Sequence, residues 1–579
     1  MEMPDDLKAF FLAPQTPKQR QYEALRAHVI DDVTLKTAAR LYGFTPDTLQ
    51  ALLHDLRAGK LDFFPRRSTG PRQRRVTPHV QDEICRLRQR DLAVAQIAEH
   101  LAGEGITLGQ STVERVLKDA GFAKLHRRSA DQRGLTIQNT LLPEPSQDLD
   151  LDQLKPFHAP CQVAGIFLFL PYLIESGVLD VVDALPLPES GRLGKKQAFL
   201  SLLALKLMGG ERLCHVRQYD RDRGFGLFAG LGVLPKPTYA GTYSCRVSSQ
   251  VCLDLERQIV ARLRAWRPAS FSGATINLDF HSIPHFGEQS EMEKLWCGAR
   301  NKAMKAANTF FAQDAQTHAL LYANADVLRK DAAQEILCFI DFLKHLGGGQ
   351  ETLVFDSHLT TYEVLGQLDA QAVKFITLRI RNKNLLEQTH ALPEGQWQKV
   401  KLPIPKRKHQ TFLAHESTVE LRGCPTPLRQ IIMKEHGRNE PTFVVTNNRE
   451  LSLVEVLTVY ARRWRIENKL AELVDFFNIN ALSSPIMIRI HFDLLLSVVA
   501  SFFYHCLACD LPRFEKHLAP DIFRRFIDMP GSVHYDGERF EVRLRKHAHT
   551  PILLGVKKLC QPVRVPWLGG RALIVRFTA

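Results

Sequence analysis

Three acidic residues, Asp279, Asp356 and Glu467, have the types and settings that metal-dependent phosphate chemistry requires. Asp279 ends the apolar, strand-like run 274–279, and Asp356 ends a second, 352–356. Glu467 lies within a helix-patterned stretch, 453–477. Carboxylates brought together in this way can hold two Mg²⁺ ions about 3.5–4 Å apart, which activates water or a 3′-hydroxyl and stabilises a leaving oxygen. The acids are separated by 77 and then 111 residues, so only folding can assemble them.

Taken singly, each acid has a plainer reading. An aspartate at a strand end is commonly a turn former or a cap. Glu467 beside Arg463 can be a surface ion pair contributing about 0–1 kcal/mol. Asp475 is a rival third acid, eight residues beyond Glu467 and about 80° further round a helix. His281 and His358 each follow an acid by two residues, which makes them candidates for orienting a ligand or touching substrate.

The elements that must position the acids alternate in type from residue 271 onward. The strand ending at Asp279 is followed by a basic loop with Arg300, Lys302 and Lys305. Strand-like runs at 307–312 and 318–323 come next, then a helix at 331–346 stopped by Gly347, Gly348 and Gly349. The strand carrying Asp356, a helix at 362–368 and a strand at 373–378 follow. A hairpin, a third strand, a helix and a parallel strand fit an RNase H-like core, with the first two acids on neighbouring strands. Residues 384–440 predict a β-rich insertion with basic runs at 399–401 and 406–409, before a strand at 442–447 and the Glu467 helix.

The N-terminal quarter predicts two helix-turn-helix units. In the first, a helix at 35–42 meets Gly43, and Thr45 and Pro46 open a recognition helix bearing Thr48 and Gln50. In the second, a helical run from Val94 is followed by a glycine-containing turn and a helix, 112–118, that Ser111 caps and that bears Thr112 and Arg115. Between them lies a basic arm with Arg66, Arg67, Arg72, Arg74 and Arg75, suited to following phosphates or entering a minor groove. Residues 60–128 hold 14 Lys and Arg against 8 Asp and Glu, which favours DNA as the partner of this region.

Whole-chain composition agrees with a nucleic-acid partner: net charge is +14 over 579 residues, with 45% apolar and 24% charged residues. The eleven cysteines are scattered; Cys506 and Cys509 form one CxxC, too few ligands for a structural zinc site. Reduced cysteines and a polar, acidic start predict a cytosolic protein without a secretory signal. The longest apolar stretch, 494–507, is shorter than a bilayer span and predicts a buried core helix rather than a membrane anchor. Glycines at 224, 226 and 230 follow no strand and predict packing, not a nucleotide loop.

Three segments carry a specific resemblance: 278–283 around Asp279, 355–363 around Asp356, and 460–467, which holds Tyr460, Arg463 and Glu467. The chain resembles DDE transposases of the IS4 type, from bacterial insertion sequences. In that family a tyrosine, an arginine and the catalytic glutamate recur on one helix, at the offsets seen here. A lysine follows the glutamate by seven residues there; this chain has Val474, with Lys469 on another face. The resemblance implies Asp279, Asp356 and Glu467 as the catalytic and metal-holding residues, with two Mg²⁺ ions that Mn²⁺ can replace. It implies Tyr460 and Arg463 as DNA contacts, double-stranded transposon ends and target DNA as partners, at least a dimer on DNA, and a nucleoid-associated cytoplasmic protein. The alternative is a catalytically silent, transposase-derived regulator.

The expected fold is a multidomain α+β chain. Helix-turn-helix domains occupy 1–62 and 76–130, and a helical intermediate domain 151–270. An RNase H-like α/β core occupies 271–383 and 441–510, split by the β-rich insertion 384–440. A C-terminal domain at 511–579 contains a hairpin around Asp536 and Gly537 and strands at 552–556 and 572–577.

Overall fold

Threonine caps and first-turn prolines set the helices of the N-terminal segment. The structure, a computed structural model, describes residues 13–64, 76–90, 92–123, 125, 146–287, 292–404, 409–481, 484 and 486–578. The chain divides into two units, Met1–Thr140 and Leu141–Ala579. The basic arm with Arg66, Arg67, Arg72, Arg74 and Arg75 lies outside the described residues, as does the basic run 406–408.

The first unit contains two three-helix groups. In one, α1 (Pro17–Val29), α2 (Leu35–Leu41) and α3 (Pro46–Arg57) pack around Leu25, Ala38, Ala39, Leu49 and Leu53. Thr45 caps α3, its hydroxyl accepting the Thr48 N–H at 3.2 Å, and Gly43 takes φ +71° in the turn before it. In the other, α4 (Pro78–Gln89), α5 (Val94–Gly103) and α6 (Gln110–Asp119) pack around Ile84, Leu87, Ile97, Leu101, Val113 and Leu117. Here the sequence expectation fails in detail. Helix α6 starts at Gln110 with Gly109 as its cap residue, so Ser111 sits inside the first turn and caps nothing. The leading helices α1 and α4 close each apolar core.

In the second unit, β1 (Phe157–Cys161) precedes a mainly helical stretch that includes α7 (Lys195–Leu207) and α8 (Ser249–Trp266). The glycines near 224 serve packing: a Cβ on Gly224 would fall on Cys161, and one on Gly226 on the Val233 backbone. The main sheet is then built from β2 (Thr275–Pro284), β3 (Lys294–Cys297), β4 (Lys302–Asp314) and β5 (Leu320–Asn324). After α9 (Glu335–His345) come β6 (Thr352–Val354), α10 (Tyr362–Ala370) and β7 (Phe375–Leu378). Strands β8 (Gln398–Lys401), β9 (Thr411–Val419), β10 (Leu428–Lys434) and β11 (Thr442–Thr446) complete it.

The strand order is β3-β4-β2-β6-β7-β11-β10-β9-β8, with β5 on β4. Strands β2, β4 and β5 pair antiparallel, whereas β2, β6 and β7 run parallel. Because β11 pairs antiparallel with β7, the strands of 384–440 extend the same sheet. The basic segment around Arg300 is not a loop: β3 and the first turn-proximal residues of β4 form a ribbon, with Asn301 at φ +48° in its turn.

Beyond the sheet come α11 (Leu453–Arg462), α12 (Arg465–Asp475) and α13 (Met487–Asp510). Helix α13 is long and apolar enough to cross a membrane, yet 89% of its apolar window is buried in this unit, as expected of a core helix. A second sheet joins β1 to the C-terminal strands β12 (Gly531–Tyr535), β13 (Phe540–Arg545), β14 (Val563–Val565) and β15 (Arg571–Thr578), in the order β1-β12-β13-β15-β14. The expected strand at 552–556 is a helix, Thr550–Gly555: Pro551 suits a first helical turn, and Leu553 turns into the core.

One close approach fixes α10, the helix that follows Asp356. A Cβ on Gly366 would fall on the Gly423 carbonyl oxygen, so α10 lies directly on the insertion backbone. Gly366→Ala is expected to destabilise the protein by about 2–3 kcal/mol, because backbone cannot yield as a side-chain tip does. Urea unfolding measures this; an unchanged midpoint would show that the contact has slack.

Candidate active site

Sheet register brings the first two acids together. Strands β2 and β6 are parallel, with Asn277 opposite Val354. Two residues further along each chain, just past the last β2–β6 pair, stand Asp279, in the middle of β2, and Asp356, one strand spacing apart, about 5 Å between backbones. Asp356 lies just past β6 and caps the short turn Ser357–Leu359, its Oδ1 accepting the His358 N–H at 2.9 Å. It therefore acts as a turn former and a neighbour of Asp279 at once.

Asp279 is largely enclosed. Its Oδ1 accepts the Phe280 N–H at 2.9 Å, and its Oδ2 accepts from Arg463 Nη1 at 2.8 Å. The two side chains retain 17% and 14% of their exposure, so this is a nearly desolvated ion pair. Burial, opposed by Arg463 and reinforced by the Asp356 charge, pushes the Asp279 carboxyl up to about 6. Burial works against the Arg463 charge, but Asp279, Tyr460 and Asp356 outweigh it and hold the guanidinium above its usual value. Burial also raises the Tyr460 hydroxyl, against the pull of Arg463.

The helix expected over 453–477 is tightened in the middle. Helix α11 ends at Arg462 and α12 begins at Arg465. Across the junction, Arg463, Ile466 and Glu467 donate their N–H groups three residues back, to Tyr460, Arg463 and Trp464. Such 3₁₀-type bonds overwind the backbone without ending the helical path. Arg463 Nη2 thus stays 3.6 Å from Glu467 Oε1, while the Glu467 side chain remains 61% exposed. The guanidinium bridges the buried aspartate and the exposed glutamate.

The remaining sequence candidates separate into distinct places. His281 is largely buried, its Nε2 at 2.7 Å from Asn480 Oδ1; burial lowers its proton affinity. His358 is exposed, with its ring edge-on to Phe280 at 6.0 Å. Asp475 is exposed at the far end of α12. Lys469 is buried and ion-paired to Glu472 beneath α12, and Val474 packs against the core. Cys506 is buried and Cys509 exposed on α13. In the first unit Thr48, Gln50 and Arg115 are exposed and Thr112 half-buried, with the Thr48 hydroxyl 2.7 Å from that of Thr45. Two features escaped the sequence reading: Asn480, which holds His281, and Arg438, whose charge reaches Tyr460.

Oxygen donors alone, with Asp279 and Asp356 on neighbouring strands, suit a hard divalent cation such as Mg²⁺. Among the described residues, no three His, Cys, Asp or Glu side chains are gathered at metal-holding distance. Glu467 is the member that stands off, with Arg463 between it and Asp279. The donor chemistry of the aspartate pair fits a hard cation, whereas Glu467 is not gathered with it in this conformation.

Comparison with curated proteins finds no match. Residues 273–503 match the family model described as the transposase DDE domain. The matched segment runs from the strand of Asp279 through Asp356 to beyond Glu467, so the part of this chain that carries the three acids is similar to the DDE domain of transposases.

Proposed function

We propose that this chain is a transposase whose Leu141–Ala579 unit cleaves DNA and joins the freed 3′-hydroxyl to a target strand. The observation that carries this is the parallel β2–β6 register, which sets Asp279 beside Asp356 within a segment similar to the transposase DDE domain. The strand order β5-β4-β2-β6-β7, antiparallel on one side of β2 and parallel on the other, supports an RNase H-like core, and the strands β8–β10 inserted between β7 and β11 suit the IS4 type. Asp279, Asp356 and Glu467 would hold the divalent cations, Mg²⁺ or Mn²⁺. When bound, these would activate the attacking oxygen and stabilise the leaving one. Arg463 offers a planar fork that can pass from the carboxylates to a phosphate, and Tyr460 supports it from α11.

The three-helix groups of the first unit, with exposed Thr48, Gln50 and Arg115, would read terminal repeats by a helix-turn-helix mode. Removal of residues 1–130 is expected to abolish discrimination of a terminal repeat from random DNA while leaving weaker, salt-sensitive binding. Competition binding against random duplex tests this; retained discrimination would place the reader in 151–270.

A second reading is favoured by one observation. Glu467 is exposed and apart, and Arg463 serves as the cation on Asp279, as in a silent DNA-binding regulator. A strand-transfer assay with a DNA end separates the two: joined products in Mg²⁺ require the enzyme.

A further inference from the structure

The ribbon of β3 and the start of β4 projects past the main sheet and has two unlike faces. In the β3–β4 register Lys294 opposes Lys305, Leu295 opposes Met304, Trp296 opposes Ala303 and Cys297 opposes Lys302. Directly opposed residues share a face and successive residues alternate. One face is dry: Leu295, Cys297 and Ala306 are buried, with Met304 packed against them. The other carries Trp296, 62% exposed, and the exposed Lys294. At the ribbon's base Phe286 is 52% exposed, with the Arg300 guanidinium 5.2 Å from its ring centre. Two large rings left in water, one on the ribbon and one at its base, with cations beside them need an explanation beyond packing.

The same alternation continues into the active site. Phe311 of β4 opposes Asp279, and Ala303 lies eight residues earlier on β4, hence on the same face. Trp296 and Lys294 therefore emerge on the Asp279 side of the sheet. At about 3.3 Å per residue, Trp296 stands about 26 Å along the sheet from Asp279. That span equals about eight base-pair steps of duplex.

We propose that the β3–β4 ribbon is a second DNA contact, in which Trp296 packs into a duplex lying along β4, about eight base pairs from the phosphate to be cut beside Asp279. Lys294, on the Trp296 face, and Arg300, in the ribbon's turn, neutralise the flanking backbone. Apolar side chains inserted between base steps, with cations on adjacent phosphates, are a general way to grip and bend a duplex. The placement rests on the cleavage reading above; the contact itself does not.

The test uses the full chain and duplex DNA carrying 2-aminopurine as a reporter of unstacking. Trp296→Ala is expected to weaken duplex binding about 10-fold or more and to remove the fluorescence rise seen with the unaltered protein. Trp296→Phe should keep most of both. Lys294→Gln should lower the salt dependence of binding by about one phosphate contact. On a substrate that the protein cuts, the reporting position should lie about eight base pairs from the cut. Duplex affinity and fluorescence unchanged in Trp296→Ala would overturn the ribbon contact even if cleavage is normal. A Trp296-dependent signal from a protein that never cuts DNA would uphold the contact and overturn the cleavage reading instead.

Discussion

Alanine in place of Asp279, Asp356 or Glu467 is expected to remove DNA cleavage and strand transfer while leaving end binding nearly unchanged. Affinity for DNA comes mainly from cations on phosphates, and these acids add nothing to it. A metal that stabilises charge in the transition state contributes several kcal/mol, and about 4 kcal/mol corresponds to a loss of about 10³-fold in rate. Single-turnover cleavage of a labelled DNA end measures this. The three positions need not respond alike. Asp279 and Asp356 are placed by backbone register, whereas Glu467 must turn toward them from an exposed position. Normal cleavage by Glu467→Ala would assign the third ligand to another group; normal cleavage by Asp356→Ala would remove the site from the chemistry altogether.

Arg463 should show the second large effect, and its size should depend on pH. The Asp279 carboxyl sits at about 6 in the folded protein, raised by burial and by Asp356 and held down by Arg463. A carboxyl raised in this way favours the folded state most below the ordinary carboxylate value of about 3.9, and that contribution is lost as pH rises through about 6. Removing Arg463 removes the group that holds the value down, so the carboxyl climbs further. At pH 5 Asp279 is mostly protonated and needs no partner. At pH 8 it must either stay protonated against the solvent or stand charged and unpaired in a nearly desolvated place. Arg463→Ala is therefore expected to cost about 3 kcal/mol at pH 8 and clearly less at pH 5. Urea unfolding at the two pH values checks this, and equal losses would show that Arg463 acts by packing alone. Arg463→Lys keeps the charge but not the fork, so its cleavage rate should fall more than its DNA affinity.

The aspartates were legible because each ends an apolar run, although only Asp356 lies past its strand: β2 continues beyond Asp279 to Pro284, through residues whose mixed polarity hid the strand. The strand order also put them on neighbouring strands; what it left open was the register, which depends on parallel pairing between residues 275–277 and 352–354, and pairing leaves no local trace. The tightened turn between α11 and α12 was also hidden. Neither proline nor glycine marks it, and the residues at the junction, Arg463 and Trp464, are compatible with an unbroken helix. By contrast the β3–β4 ribbon was open to view. Lys294, Leu295, Trp296 and Cys297 alternate polar and apolar apart from the one exposed tryptophan, but the nearby basic residues suggested a loop. The start of α6 was misplaced because Ser111 is a good cap by type, while Gly109 provides the extended backbone that begins the helix. The strand expected at 552–556 was misassigned because a short apolar run carries no period, and Pro551 was the stronger signal.

The most direct test is cleavage of a DNA substrate containing an element end by the full chain, in Mg²⁺ and in excess chelator, with Asp356→Asn alongside. Asparagine keeps the shape of the turn while removing the charge. The expected result is a product ending in a 3′-hydroxyl that forms only with Mg²⁺ or Mn²⁺ and only with Asp356 intact. Product formed at an equal rate in chelator or by Asp356→Asn would contradict metal-dependent cleavage at this site. Tight binding of the end with no product in either metal would contradict it as well, and is the behaviour of a silent regulator.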